Sequence, residues 1–140
     1  MILYCDTSAL LKLYLTEAGS AEVARSLGEC EGLAVCRIAW AEAHAAFARR
    51  TREVPQDALI IDAAKQALAL DWQHFIIFEV DQPLMELAAD YADTFALRGY
   101  DSVQLAAAAS IAQITSVPTL FACFDTRLNK AAKVLGLITL

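Results

Sequence analysis

Apolar positions along the chain fall into two patterns, short unbroken runs and longer stretches in which hydrophobic side chains recur every three or four residues. The runs are Ile2–Cys5, residues 33–36, 75–80 and 119–124, and a brief last one at 137–140. Runs apolar on both faces read as strands covered by helices on either side. The periodic stretches lie at 8–14, 20–28, 39–52, 56–72, 83–97, 101–115 and 126–135 and predict helices. Their ends are punctuated: Ser20 stands as an N-cap, Pro55 sits near the first turn of the fourth stretch, Asp81 caps the fifth, Arg98 and Gly99 stop it, and Gly136 ends the last. Strands alternating with helices predict an α/β fold of βαβ units with a mainly parallel sheet. No repeat, low-complexity tract or linker interrupts the pattern, so residues 1–140 are expected to form one domain.

Composition adds bounds. With 58% hydrophobic residues in 140, the core is well supplied. No apolar stretch approaches the roughly 20 residues needed to cross a bilayer, and no basic segment precedes a short apolar one, so the expectation is a chain neither secreted nor membrane-spanning. Cys5, Cys30, Cys36 and Cys123 show no C-x-x-C spacing, and three lie in apolar segments, which suits a reducing, cytoplasmic setting. A formal net charge of -6 argues against broad attraction to nucleic acid, so any polyanion contact must be local. Clustered acids that hold cations could supply part of that excess.

Two acids follow apolar strands at once and precede a threonine: Asp6 after Ile2–Cys5, and Asp125 after Phe121 to Phe124. In open α/β sheets ligands bind at the carboxyl ends of strands, so both stand where chemistry is placed, although either also serves as a helix cap. Asp101 opens an alanine-rich helix and carries the same two readings. Glu42 has Ile38, Ala39, Ala45 and Ala46 as helical neighbours and no intrahelical cation, so burying it ionised calls for a positive charge from elsewhere. The alternative is that this alanine-rich face is solvated; Trp40 and Phe47 on the same helix favour burial. Four converging carboxylates would repel at neutral pH unless their pKa values rise or divalent cations intervene, and hard oxygen donors select Mg²⁺ or Mn²⁺. His44 and His74 form no metal-binding pair by spacing and read as surface or packing residues.

Taken in order, these segments resemble the PIN-domain nucleases, especially the VapC-type toxins of toxin–antitoxin pairs. The resemblance runs through Asp6-Thr7-Ser8-Ala9-Leu10 with Lys12-Leu13-Tyr14, then Glu42, then Leu97-Arg98-Gly99-Tyr100-Asp101 with Leu105 to Ala108. It continues through Phe124-Asp125-Thr126-Arg127-Leu128, Ala131-Ala132 and Gly136-Leu137, and so covers nearly the whole chain. It implies a PIN-like three-layer domain with a five-stranded parallel sheet in the order 3-2-1-4-5, which would set Asp6 beside Asp125. It also implies Mg²⁺- or Mn²⁺-dependent endoribonuclease activity, with Asp6, Glu42, Asp101 and Asp125 as catalytic and metal-binding acids and Ser8 and Thr126 as supporting hydroxyls. Two positions depart from the family pattern: Cys36, near where relatives often carry serine, and Gln104, where histidine is frequent.

An RNA substrate needs cations at the rim, and the candidates are Lys12, the group Arg49, Arg50 and Arg52, and the last helix with Arg127, Lys130 and Lys133. The resemblance further implies a small VapB-type antitoxin, whose C-terminal segment covers the acidic pocket with an Arg or Lys, and a homodimer; apolar residues on the short early helices are compatible with the latter. Two other classes begin alike. A haloacid-dehalogenase-type hydrolase would want an acid where Ser8 stands, and a receiver-like signalling module would want a paired acid near the first strand and a lysine after the last. A binding-only PIN-like domain without turnover is the remaining alternative.

Overall fold

The computed structural model describes residues 1–140. Its elements run β1 (Ile2–Cys5), α1 (Thr7–Leu11), α2 (Ser20–Gly28), β2 (Gly32–Cys36), α3 (Ala39–Glu53), a 3-10 turn (Pro55–Asp57), α4 (Ala58–Trp72), β3 (Ile76–Phe78), α5 (Gln82–Phe95), α6 (Gly99–Thr115), β4 (Thr119–Ala122), α7 (Thr126–Val134) and β5 (Ile138–Thr139). The strands form one five-stranded sheet in the order β3-β2-β1-β4-β5, every pair parallel, as the resemblance implied.

Side-chain alternation along β1 shows why two helical layers are needed. Ile2 and Tyr4 join a core with Leu84, Ala88, Leu105, Leu128 and Ala132 from α5, α6 and α7. Leu3 and Cys5 join a second core with Leu10, Val23, Ala43, Phe47, Ile61 and Leu68 from the helices of the opposite layer. A strand with both faces buried must be apolar throughout, which is the pattern the sequence shows. Small residues let α6 press close: Ala106, Ala107 and Ala108 are all fully buried.

Registers decide where strands stop. Cys36 pairs with Phe78 and Cys5 with Ala122 at the ends of their ladders. The apolar runs at 75–80 and 119–124 therefore overreach, since residues beyond those pairs have no neighbouring strand to bond. Ser20 is the first residue of α2 rather than its cap: Gly19 takes that place with φ of 91°, while the Ser20 hydroxyl bonds Leu15 O and Glu17 N in the preceding loop. Trp40, expected inward, is 37% exposed, because the buried stripe of α3 is Ala39, Ala43 and Phe47. Trp40 follows Ala39 and so points about 100° further round the helix. It packs instead at a tilt against His44 and meets Trp72 edge-on. The cysteines are all free thiols. No helix is long and apolar enough to cross a membrane.

Gly19 and Gly136 both have positive φ, 91° and 82°, but a Cβ at Gly19 would stand 2.8 Å from the Phe124 ring, whereas one at Gly136 meets nothing. Gly136→Ala should therefore lose roughly 1–2 kcal/mol for the left-handed backbone alone. Gly19→Ala should lose roughly 1–3 kcal/mol more for the crowding, read from urea unfolding. Equal losses would show that the ring swings aside freely.

Candidate functional site

β1 and β4 are adjacent, so the chain leaves both at the same end of the sheet, and Asp6 and Asp125 follow there. Each begins a helix in the same way. Asp6 Oδ1 accepts the Ala9 N–H at 2.8 Å, and Asp125 Oδ1 accepts the Leu128 N–H at 2.8 Å. A cap of this kind contributes about 1 kcal/mol and uses one carboxylate oxygen, so capping and ligand roles do not compete for the same atom. The Ser8 hydroxyl also donates to Asp6 Oδ1, at 2.8 Å, so both of these donors fall on one oxygen.

The environment works against ionising two of these acids. Asp6 is only 8% exposed, and burial raises its pKa, partly offset by the Ala9, Ser8 and Cys123 hydrogen bonds, with the Asp101 charge adding to the rise. Asp101 lies in the first turn of α6, after Arg98 at the N-cap position. Its pKa is also raised, first by burial and then by repulsion from Asp125, against a small opposing pull from Arg98. Asp6, Asp101 and Asp125 thus share one electrostatic neighbourhood.

Glu42 reaches the same end of the sheet from α3. It is half-buried at the margin of the Ala39–Ala43–Phe47 stripe, so neither the fully buried nor the fully solvated reading describes it. Its Oε1 accepts the Thr7 hydroxyl at 2.7 Å and the Gln104 side-chain N–H at 2.8 Å. Thr7 follows Asp6, and Gln104 lies one turn after Asp101, which ties Glu42 to both. Gln104 is 3% exposed and its Oε1 accepts the Tyr4 hydroxyl at 2.6 Å. The roles of Tyr4, Thr7 and Gln104 do not emerge from the sequence alone. The available signal is a lone amide in the buried run Val103 to Ala108, since a buried polar side chain needs partners.

The supporting and rim residues divide. Thr126 is exposed on the first turn of α7 and makes no side-chain hydrogen bond, unlike Ser8. Lys12 Nζ lies 3.0 Å from Glu17 Oε1 and 4.8 Å from the Phe124 ring centroid. Arg50 lies 3.7 Å from the other Glu17 oxygen, and Arg49 pairs with Glu53 at 3.8 Å. A cleft of about 240 Å³ contains Ser8, Glu17, Arg49 and Arg50, and a second of about 400 Å³ contains Glu42, Arg49 and Arg52, so the arginine group borders the acids on the α3 side. On the other side, Arg127 donates to Ala96 O at 3.3 Å, while exposed Lys130 and Lys133 have no ion pair. His44 packs between Trp40 and Phe47, and His74 is exposed.

None of Asp6, Glu42, Asp101 or Asp125 is paired with a basic side chain. Their all-carboxylate donor set fits a hard divalent cation. No three His, Cys, Asp or Glu side chains stand close enough to hold an ion as they are placed, so the acids border one end of the sheet without forming a closed cage.

The raised pKa of Asp6 has a sign that can be measured. A folded-state value above the unfolded one means that stability falls as pH rises from the unfolded value, about 4, through the folded one. Asp6→Asn removes the charge while keeping an acceptor for Ala9 and Ser8. In metal-free buffer at pH 7.5 its Tm should exceed that of the parent by roughly 2–6 °C. The gain should vanish below about pH 3.5, where the acid is protonated in both states.

Comparison with known proteins agrees with this geometry. The PIN domain family model matches residues 3–134. Ribonuclease VapC45 of Mycobacterium tuberculosis is 30% identical, over 96% of this chain and 92% of its own. Among solved structures, PAE2754 from Pyrobaculum aerophilum superposes with a TM-score of 0.67 at 24% identity, covering 99% of this chain and 89% of that one. A chain of a toxin-antitoxin complex from Klebsiella pneumoniae gives 0.58 at 20% identity, covering 86% and 84%. Neither a dehalogenase-type nor a receiver-like reading is needed to account for a strand-end Asp6 followed by Ser8, because the chain belongs to the PIN-domain family, with a VapC ribonuclease among its relatives.

Proposed function

We propose that residues 1–140 act as one PIN domain, a Mg²⁺- or Mn²⁺-dependent endoribonuclease that serves as the toxin of a toxin–antitoxin pair. The observation that carries this reading is the electrostatic coupling of Asp6, Asp101 and Asp125 at one sheet end, where two of the three are held above their ordinary pKa and none forms an ion pair with a basic side chain. Asp6, Asp101 and Asp125, with Glu42, are the residues that would hold the cation. Bound there, it supplies Lewis-acid activation of water and neutralises charge at the leaving oxygen.

The chain's own groups divide the remaining work. Ser8 and the Ala9 N–H fix the Asp6 carboxylate through one oxygen. Glu42 orients water or takes part in a second cation position, and Thr126 offers a free hydroxyl beside Asp125. Lys12, Arg49, Arg50 and Arg52 on one side, and Arg127, Lys130 and Lys133 on the other, hold the phosphates of the strand being cut. The partner is a VapB-type antitoxin whose cationic side chain pairs with the carboxylates in the place of metal.

The chain acts in the cytoplasm as a homodimer in this reading. The apolar side chains of α1 and α2 that suggested pairing are largely committed to the core, Leu10 and Val23 fully. α4 carries three exposed ones, Leu59 at 83%, Ile60 at 62% and Leu70 at 68%, while α6 carries Tyr100 and Ile114 and α7 carries Val134. With three, α4 is the better candidate for a contact between copies.

Purified protein should cut single-stranded RNA with Mg²⁺ or Mn²⁺ and stop with EDTA. Asp6→Asn should lose at least about 100-fold in rate; cleavage undiminished by the substitution would reject the assignment. In a separate binding experiment, Arg49→Glu with Arg50→Glu should weaken RNA affinity and reduce the salt slope by about 0.7 for each phosphate that is no longer neutralised. An unchanged slope would make these arginines ordinary surface charge.

A further inference from the structure

Gln104 interrupts an otherwise apolar face of α6 and lies almost wholly inside the protein. A glutamine amide has an acceptor end and a donor end, and here chemistry fixes which faces which way. The donor end meets Glu42 Oε1 at 2.8 Å and Thr7 Oγ1 at 3.1 Å. Reversed, the amide would turn its oxygen toward a carboxylate and both oxygens would repel. The Tyr4 hydroxyl locks the correct orientation by donating to Gln104 Oε1 at 2.6 Å. Thr7 then completes the circuit, accepting from Gln104 and donating to Glu42 Oε1 at 2.7 Å.

No buried side-chain atom in this circuit lacks a partner; the one that does is elsewhere, Asn129 Oδ1. Tyr4 is fully buried, and its hydroxyl has Gln104 Oε1 as its acceptor. Glu42 Oε1 receives two hydrogen bonds and Oε2 receives none from the protein. A long, flexible carboxylate is thereby held at one oxygen with the other left open.

We propose that Gln104, oriented by Tyr4 and assisted by Thr7, is a positioning residue that aims the free oxygen of Glu42 into the acidic site and raises its affinity for a divalent cation. The proposal rests on the reading of Glu42 as a cation ligand and adds to it the residues that make it one. Because the donors are neutral, they steer the carboxylate without cancelling the charge that a cation needs, which a basic side chain in the same place would do.

The test is Mn²⁺ binding to the full chain, followed by electron paramagnetic resonance well below the Tm of every variant. Glu42→Gln should weaken binding about tenfold, and Gln104→Met should weaken it by a similar factor although it removes no carboxylate. Gln104→Met strands the Tyr4 hydroxyl, so the paired change Tyr4→Phe with Gln104→Met, which removes both polar groups together, guards against a folding defect. It should show the same weakening with a near-parental Tm. Adding Gln104→Met to Glu42→Gln should bring no further loss, because both act through one carboxylate.

Parental affinity in either Gln104 variant, or an additive loss in the double variant with Glu42→Gln, overturns the positioning role while leaving the nuclease reading in place. Parental affinity in Glu42→Gln removes Glu42 as a ligand and the proposal with it, but not the three aspartates. Failure of the parent itself to bind Mn²⁺ overturns both readings.

Discussion

The parallel pairing of β1 with β4 fixes the remainder of the molecule's chemistry. With Cys5 opposite Ala122, the chain must leave the sheet at neighbouring points, and both exits carry an aspartate. Water is excluded from the first exit by the two cores that close over β1, so the Asp6 carboxylate is desolvated where it also feels Asp101. The capping bonds hold these acids in place against that penalty. No basic side chain forms an ion pair with these acids, and Arg98 offsets only part of the rise in the Asp101 pKa.

Basic side chains are instead arranged around the acids. Arg49 and Arg52 border the cleft that contains Glu42, and Lys12 and Arg50 converge on Glu17 beside Ser8. Only four of the 17 acids lie at that sheet end, so the overall charge of -6 is spread mostly over other surfaces and any polyanion contact is confined to these basic groups. The exposed Arg49–Glu53 pair, at 3.8 Å, is worth little to stability.

Much of this was legible in the sequence, for definite reasons. Unbroken apolar runs locate buried strands well because both faces are covered, and the ordered motifs imply the strand order that the sheet has. Strand ends were less legible, because a run such as 119–124 stays apolar after its pairing partner has stopped. Hydrophobic character alone misplaces Trp40, whose angular position on α3 lies off the buried stripe of Ala39, Ala43 and Phe47. The contacts of Gln104 join residues 62 and 100 positions apart, and no local pattern encodes them; only the anomaly of a buried amide was visible. Asp6 and Asp125 were ambiguous between cap and site because each does the capping with one of its two oxygens.

The decisive measurement is a crystal structure of the protein soaked with Mn²⁺, with the ion located by anomalous scattering. A peak is expected at the shared end of β1 and β4, within coordination distance of Asp6 and at least one of Asp101 and Asp125. A fully soaked crystal with no peak there, or with Mn²⁺ bound only at other surfaces, would contradict a cation-binding site at that end of the sheet.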